Sequence, residues 1–404
     1  MTLPTLQRIA DAVAARPSEL AALREEGTLV AGYFCCNIPE ELVLAAGLVP
    51  VRLGRGGDDG LVEVGGRYIS HQNCPFVRQN VGAFATEAAT PGEASDPWVA
   101  NTDVVLAAAT CPQMFRLAEV IEHFFHRRVE ILGVPRNFTS DNGHAYFRAE
   151  MADLATRLAK ITGNAITSER LGETVALLAG IRTSIKALYR AQAQRPDVLS
   201  WRQTFETVRA GFYLDRWRYA ALLEDLLAEA EAAVATPASA DDDGRVRLFV
   251  SGTVIAPGDT KIVDLIEGLG ARVVGDDLCT GLRPFLRLEV AEPSIDAVAD
   301  AYLDRVQCAA LPHLSLEDDR RLANIEESYG ATGAEGVLYH SLRYCDPFAF
   351  KANETKRFLG KGVPFLEIHT EYASSDTEGI RTRINAFIEM IEAARTDKEI
   401  QHVA

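Results

Sequence analysis

Short apolar runs, each followed by a turn and then an amphipathic helix, recur along this chain. They constrain its fold more than any other feature. DVVLAAA (103–109) is the clearest: after its first residue it has no polar side chain. A strand of that kind is buried on both faces, which is the pattern of a parallel sheet covered by helices. TLVAGYF (28–34), VPVRL (49–53) and VEILGVP (129–135) are similar strands in the same stretch. RVRLFVSGTVI, ARVVGDD, GVLYHSLRYC and VPFLEIHTEY form a second series beyond residue 245. Helices with helical apolar spacing separate them, such as EELVLAAG, QMFRLAEVIEHFF, TKIVDLIEGLG and FAFKANETKRFLGKG. Pro39 fits the first turn of the EELVLAAG helix, and Gly47 and Gly270 fit helix ends. The alternation predicts an α/β protein with two α/β units of mostly parallel strands.

The stretch between the two series differs. FRAEMADLATRLAKITG, SERLGETVALLAGIRTSIKALYRAQ and DRWRYAALLEDLLAEAEAAVA have helical period and few strand signals. TPASADDDGR (236–245) is small, polar and acidic, and reads as a linker. The predicted organisation is an N-terminal α/β domain over 1–145, a helical bridge over 146–235, a linker over 236–245 and a C-terminal α/β domain over 246–404. A length of 404 residues suits two or three domains. Residues 1–30 read as helix, and GRGGDDG (54–60) as a flexible loop.

A net charge of −16 argues against a nucleic-acid partner or an anionic membrane surface. No apolar run is long enough to span a bilayer. The N-terminal helix carries charges throughout and lacks the apolar core of a secretory signal. A cytoplasmic protein is expected, and in that compartment structural disulfides are a poor explanation for cysteines.

The chain has seven: Cys35, Cys36, Cys74, Cys111, Cys279, Cys308 and Cys345. Three share a local grammar. Cys74 precedes Pro75, Cys111 follows DVVLAAAT and precedes Pro112, and Cys345 follows GVLYHSLRY. The C-terminal ends of parallel strands form the ligand-binding edge of such a sheet. A cysteine at a helix N-terminus is biased toward the thiolate that ligates metal. The gaps are 37 (111 − 74) and 234 (345 − 111). They match neither the short C-x₂₋₄-C pairs of zinc sites nor the clustered runs of ferredoxins. Spacing alone leaves two readings: a cluster held across a domain cleft, or three unrelated buried cysteines.

Resemblance bears on that choice. GYFCCNIPEELVLAAGLVPVRL resembles the N-terminal signature of the 2-hydroxyacyl-CoA dehydratase and benzoyl-CoA reductase family. NCPFVR and DVVLAAATC resemble its first two ligand blocks, and SGTVIAPGDTKIVDLIEGLGARVVGDDLCTGLR the start of its second domain. GVLYHSLRYCDPFAFKANETKRFLGKGVPFLEIHTEY resembles its C-terminal block. The chain departs from the family pattern at Pro112, where an aspartate is expected in many relatives.

The resemblance implies a [4Fe–4S] cluster on Cys74, Cys111 and Cys345, placed in the cleft between the domains. It implies a paralogous second subunit and a separate ATP-dependent iron–sulfur activator. The electron delivered would reduce a CoA thioester, either to a ketyl radical in 2-hydroxyacyl-CoA dehydration or in benzoyl-CoA-type ring reduction. One branch of the family carries instead a double-cubane [8Fe–9S] cluster in a homodimer that reduces small molecules. There, Cys279, Cys308 and one or both of Cys35 and Cys36 would be the additional ligands. A third reading is a non-catalytic electron-transfer module.

Other residues carry less. Glu40 and Glu41 read as charges complementing a helix N-terminus rather than as proton donors. Arg283, with Gly281, suits either an anionic substrate group or a loop anchor. His340, Arg343, His369 and Glu371 fall at strand ends, where ordinary hydrogen-bonded residues are commoner than catalytic ones. No dinucleotide or phosphate-loop motif is present, which fits an ATPase that is a separate protein.

Overall fold

The computed structural model describes residues 3–92, 96–234, 244–311 and 319–403. It contains two four-stranded sheets, parallel throughout. The first is built from β1 (Val30–Tyr33), β2 (Val49–Arg52), β3 (Val104–Ala108) and β4 (Val129–Leu132), in the order β2-β1-β3-β4. The second is built from β5 (Arg247–Gly252), β6 (Arg272–Asp277), β7 (Gly336–Leu342) and β8 (Phe365–Thr370), in the order β6-β5-β7-β8. Counted within its own unit, each order is 2-1-3-4. Strand order therefore reverses between β1 and β3, and again between β5 and β7. Such a switch point leaves a crevice outside the carboxyl ends of its two strands.

The apolar runs explain the strands. β3 and β7 are buried along their whole length, as strands covered on both faces must be. β5 and β7 approach very closely where Gly252 pairs with His340. Gly252 has φ +125°, and a Cβ there would stand 1.9 Å from the His340 carbonyl oxygen, so only glycine fits.

Four helices fill the central stretch: Asp141–Thr162, Ser168–Gln194, Trp201–Ala210 and Arg216–Val234. The first starts a few residues before the expected boundary, because Ser140 caps it by accepting from the Gly143 amide at 3.1 Å. The expected loop at 54–60 ends early for a similar reason. Asp58 accepts from the Leu61 amide at 3.0 Å and starts a helix over Asp59–Gly65. The N-terminal helix runs Pro4–Glu25. Most of the predicted linker, residues 236–243, lies outside the described residues.

One element crosses between the units. Helix Ile295–Asp304 follows β6 in the chain but packs on the first sheet. Its Val298, Ala299, Tyr302 and Leu303 share a core with Ala31, Tyr33, Val104 and Leu106. Tyr302 donates to Glu41 at 2.9 Å, and Asp300 holds His144 (2.9 Å) and Arg148 (2.6 Å) of helix Asp141–Thr162. Leaving this helix, the chain carries Cys308 toward the cleft between the sheets.

Candidate iron–sulfur cavity

Cys74, Cys111 and Cys345 occupy one structural position three times over. Each is the residue immediately before a helix: Pro75–Ala89, Pro112–Phe125 and Asp346–Leu359. Each helix has a proline in its first two positions, where no backbone N–H is lost. The amides that remain in the first turn favour the thiolate without making a cap hydrogen bond to it: Phe76 and Val77 at Cys74, Gln113 and Met114 at Cys111, and Phe348 at Cys345. Cys111 and Cys345 follow β3 and β7, the strands that border the two switch points. Tyr344 makes the turn into Cys345 with φ 62°, a left-handed conformation costly for a residue with a Cβ. The thiols of Cys74 and Cys345 are neighbours. That pairing, helped by the amides, holds Cys74 below its ordinary value and pushes Cys345 well above. Burial raises Cys111.

The other four cysteines form a second group with a different device. Cys35 and Cys36 follow β1, Cys279 follows β6, and Cys308 follows the crossing helix. Buried guanidiniums surround them. Arg305 Nη2 lies 3.4 Å from Cys36 Sγ, and Arg52 Nη2 lies 3.7 Å from Cys279 Sγ. Arg52 also donates to the Cys279 carbonyl at 2.8 Å. The contact with Cys35, then Arg305 and Arg52, hold the Cys36 thiol well below its ordinary value. Cys35 is pushed up by the same pairing. Burial pushes Cys279 up and Cys308 up to about 11. The thiols that most influence each cysteine belong to its own group: Cys74, Cys111 and Cys345 in one, Cys35, Cys36, Cys279 and Cys308 in the other.

All seven cysteines line a single cavity of about 120 Å³ between the carboxyl edges of the two sheets. Among the described residues, its wall contains no carboxylate and no imidazole; the rest are apolar, hydroxyl or amide side chains, with Arg52 the one cation. Among the described residues, too, no three His, Cys, Asp or Glu side chains converge closely enough to hold a single metal ion. The thiols are spread around a volume instead. A wall of thiols without hard oxygen donors fits a soft, sulfur-bound iron centre and does not fit magnesium, calcium or a carboxylate-bridged pair.

The remaining candidates separate from this cavity. Glu41 is wholly buried and binds Arg182 at 2.8 Å, while Glu40 pairs with Arg216 and Tyr33. Both stand in the first turn of their helix, as expected, and are held there by guanidinium partners. Arg283 is an anchor: it binds the Asp277 carboxylate at 2.9 Å and the Gly252 carbonyl at 3.1 Å. Gly281 lies so close to Asp276 that a Cβ would stand 2.1 Å from its carboxylate. His340 is a core residue bridging Thr370 (2.7 Å) and Thr253 (3.3 Å). His369 pairs with Glu367 at 2.9 Å, half exposed. Arg343 pairs with Glu371 at 3.0 Å, and Glu371 also reaches Arg78 of the helix that Cys74 begins, at 3.7 Å.

Three residues at the site escaped the sequence reading. Arg52 ends an otherwise apolar strand at the sheet's ligand-binding edge, and that buried charge was the available signal. Arg305 stands three residues before Cys308 in DRVQC. Tyr372 gave no signal. Its hydroxyl is buried without a partner among the described residues, and the thiols of Cys74 and Cys345 are among the charges it feels.

Comparison with known proteins agrees with this architecture. The family profile described as 2-hydroxyglutaryl-CoA dehydratase, D-component, matches residues 35–391. The putative dehydratase subunit YjiM of Escherichia coli (strain K12) is 27% identical over 379 residues, covering 91% of this chain and 93% of that one. A benzoyl-CoA reductase subunit of Thauera aromatica is 24% identical, covering 90% and 91%. The (R)-phenyllactyl-CoA dehydratase beta subunit of Clostridium sporogenes is 23% identical, covering 91% and 93%. The profile starts at the first cysteine and runs past the last, so all seven cysteines and every strand except β1 fall within it, and the chain belongs to the 2-hydroxyglutaryl-CoA dehydratase D-component family.

Proposed function

We propose that this chain is an iron–sulfur reductase subunit whose seven-cysteine cavity holds two linked cubanes. Cys74, Cys111 and Cys345 would hold one [4Fe–4S] unit. Cys279, Cys308 and one or both of Cys35 and Cys36 would hold the second, giving a double-cubane [8Fe–9S] centre. The supporting observation is that every cysteine of the chain lines one cavity, in a group of three and a group of four. Inert buried cysteines have no reason to collect at one place, least of all from both sheet edges and a crossing helix. When bound, such a centre stores electrons and passes them singly at low potential. The first-turn amides and the buried Arg52 and Arg305 offset the negative charge of the thiolates. Electrons would come from a separate ATP-dependent activator, with a second copy of the chain as partner.

A second reading has its own support. Benzoyl-CoA reductase and (R)-phenyllactyl-CoA dehydratase, to which two relatives belong, carry CoA esters in their names, and both relatives are named as subunits. In that reading only Cys74, Cys111 and Cys345 ligate a single [4Fe–4S] cluster. A paralogous partner then completes an acyl-CoA dehydratase or reductase. Iron and acid-labile sulfide per chain, on protein purified without oxygen, separate the two. Two cubanes give about eight irons and one cubane about four. Cys345→Ala and Cys279→Ala should both lower the iron under the first reading; under the second, Cys279→Ala leaves it unchanged. No iron in the wild type would sink both.

A further inference from the structure

A smaller cavity, of about 70 Å³, lies directly behind the cysteine cavity, and Cys36 and Arg52 line both. Four guanidiniums stand in its wall: Arg52, Arg182, Arg216 and Arg305, each nine-tenths buried or more. Two have carboxylate partners, Glu41 for Arg182 and Glu40 for Arg216. Arg52 and Arg305 have none among the described residues; their acceptors are the Cys279 carbonyl (2.8 Å), the Asn37 side chain (2.7 Å) and thiols. Three of the guanidinium nitrogens are fully buried with no acceptor among the described residues: Arg182 Nη2, Arg216 Nη2 and Arg305 Nε. Burying charge that no opposite charge answers costs free energy, so a wall with two guanidiniums lacking carboxylate partners favours an anionic occupant. Much of the rest of the wall is aliphatic, including Leu178, Ile181, Ile185 and Leu288.

We propose that this cavity binds a short-chain carboxylate. The carboxylate would meet the guanidiniums of Arg52 and Arg305, which have no carboxylate partner among the described residues and whose planar fork matches it. The alkyl end would lie on Ile181 and Ile185. A volume of about 70 Å³ exceeds the roughly 10–15 Å³ that one ordered water needs, yet is far too small for a CoA ester. The binding site stands on the arginines and the cavity alone. Only its placement beside a redox centre rests on the proposed function.

Thermal unfolding of the full chain, purified without oxygen, tests it. Sodium propionate is titrated against sodium chloride at equal ionic strength, and propionamide serves as the neutral isostere. Propionate should raise the midpoint saturably, since a ligand that binds only the folded state stabilises it. Propionamide should bind roughly tenfold more weakly or worse, because hydrogen bonds to a charged group are the stronger ones. Ile185→Phe, which fills the cavity and leaves every arginine in place, should abolish the shift measured from its own baseline. If that variant does not fold, the contrast between propionate and propionamide still decides. Equal effects of the two, or no effect beyond chloride, would overturn the proposal. Iron is measured on the same samples. Iron without a propionate shift removes this inference and keeps the proposed function; a shift without iron does the reverse.

Discussion

At the scale of single residues, most of the charges that this protein buries are answered by a partner. His340 shows what burial does when no charge answers it. It lies in the second sheet between two threonine hydroxyls, and burial pushes its pKa down to about 3 from an ordinary value near 6.5. Between those pH values the unfolded chain binds a proton that the folded chain refuses. The stability at stake is therefore complete above about pH 6.5 and is lost progressively as the pH falls toward 3. His340→Gln removes the titration. The gap in unfolding free energy between wild type and variant, from urea titrations, should narrow from about pH 7 to about pH 4. A gap independent of pH would show that His340 takes up its proton in the fold at the same pH as in the unfolded chain. The glutamates give the contrary lesson about legibility. Glu40 and Glu41 read as dipole partners at a helix start, and both do fall in that helix's first turn. Their guanidinium partners, Arg216 and Arg182, lie in helices far along the chain, and no local pattern announces a pair made at that separation.

At the scale of elements, the cysteine–proline helix start is the unit that was legible. Cys-Pro at 74 and 111 and Cys-Asp-Pro at 345 mark places where a thiol meets free helix amides, and all three fold that way. The signal is local, so sequence carries it. Cys279 and Cys308 were only partly legible, because their place depends on where loops after β6 and the crossing helix return. Two of the expected element edges moved for the same local reason: Asp58 caps a helix that begins inside the expected loop, and Ser140 caps one that begins ahead of the expected boundary at 146. The turn from β7 into Cys345 stores a small strain. Tyr344 holds φ 62°, which costs a residue with a Cβ about 1–2 kcal/mol relative to glycine, while glycine costs about 0.5–1 kcal/mol more chain entropy. Tyr344→Gly should therefore leave stability level or raise it by up to about 1.5 kcal/mol. Tyr344→Val, branched at the same backbone angle, should lower it. Denaturant midpoints with unchanged m-values read both. A loss with glycine would mean that the tyrosine ring, 39% exposed, contributes more than its backbone costs.

At the scale of the whole molecule, the two sheets repeat one topology, yet they are not two independent bodies joined by a linker. The boundary near residue 245 is a fact about the chain rather than about the core. Helix Ile295–Asp304 completes the first sheet's apolar layer from the far side of that boundary. Val298, Leu303 and Tyr302 are buried there, and full burial of such side chains is worth roughly 1.5–3 kcal/mol each. Their sum is comparable with the whole net stability of an ordinary domain, about 5–15 kcal/mol. Glu41, wholly buried, would also lose the Tyr302 hydroxyl. A chain ending at residue 234 keeps all four strands of the first sheet, and by sequence organisation alone it should fold. The packing says otherwise. Such a chain should show no cooperative thermal transition and should bind a hydrophobic dye, whereas the full chain unfolds sharply. Adding residues 286–311 as a separate peptide should restore part of the transition. If instead the truncated chain melts cooperatively by itself, the crossing helix is a strap on a finished domain. Cys308 would then be the reason for the crossing, not a passenger on it.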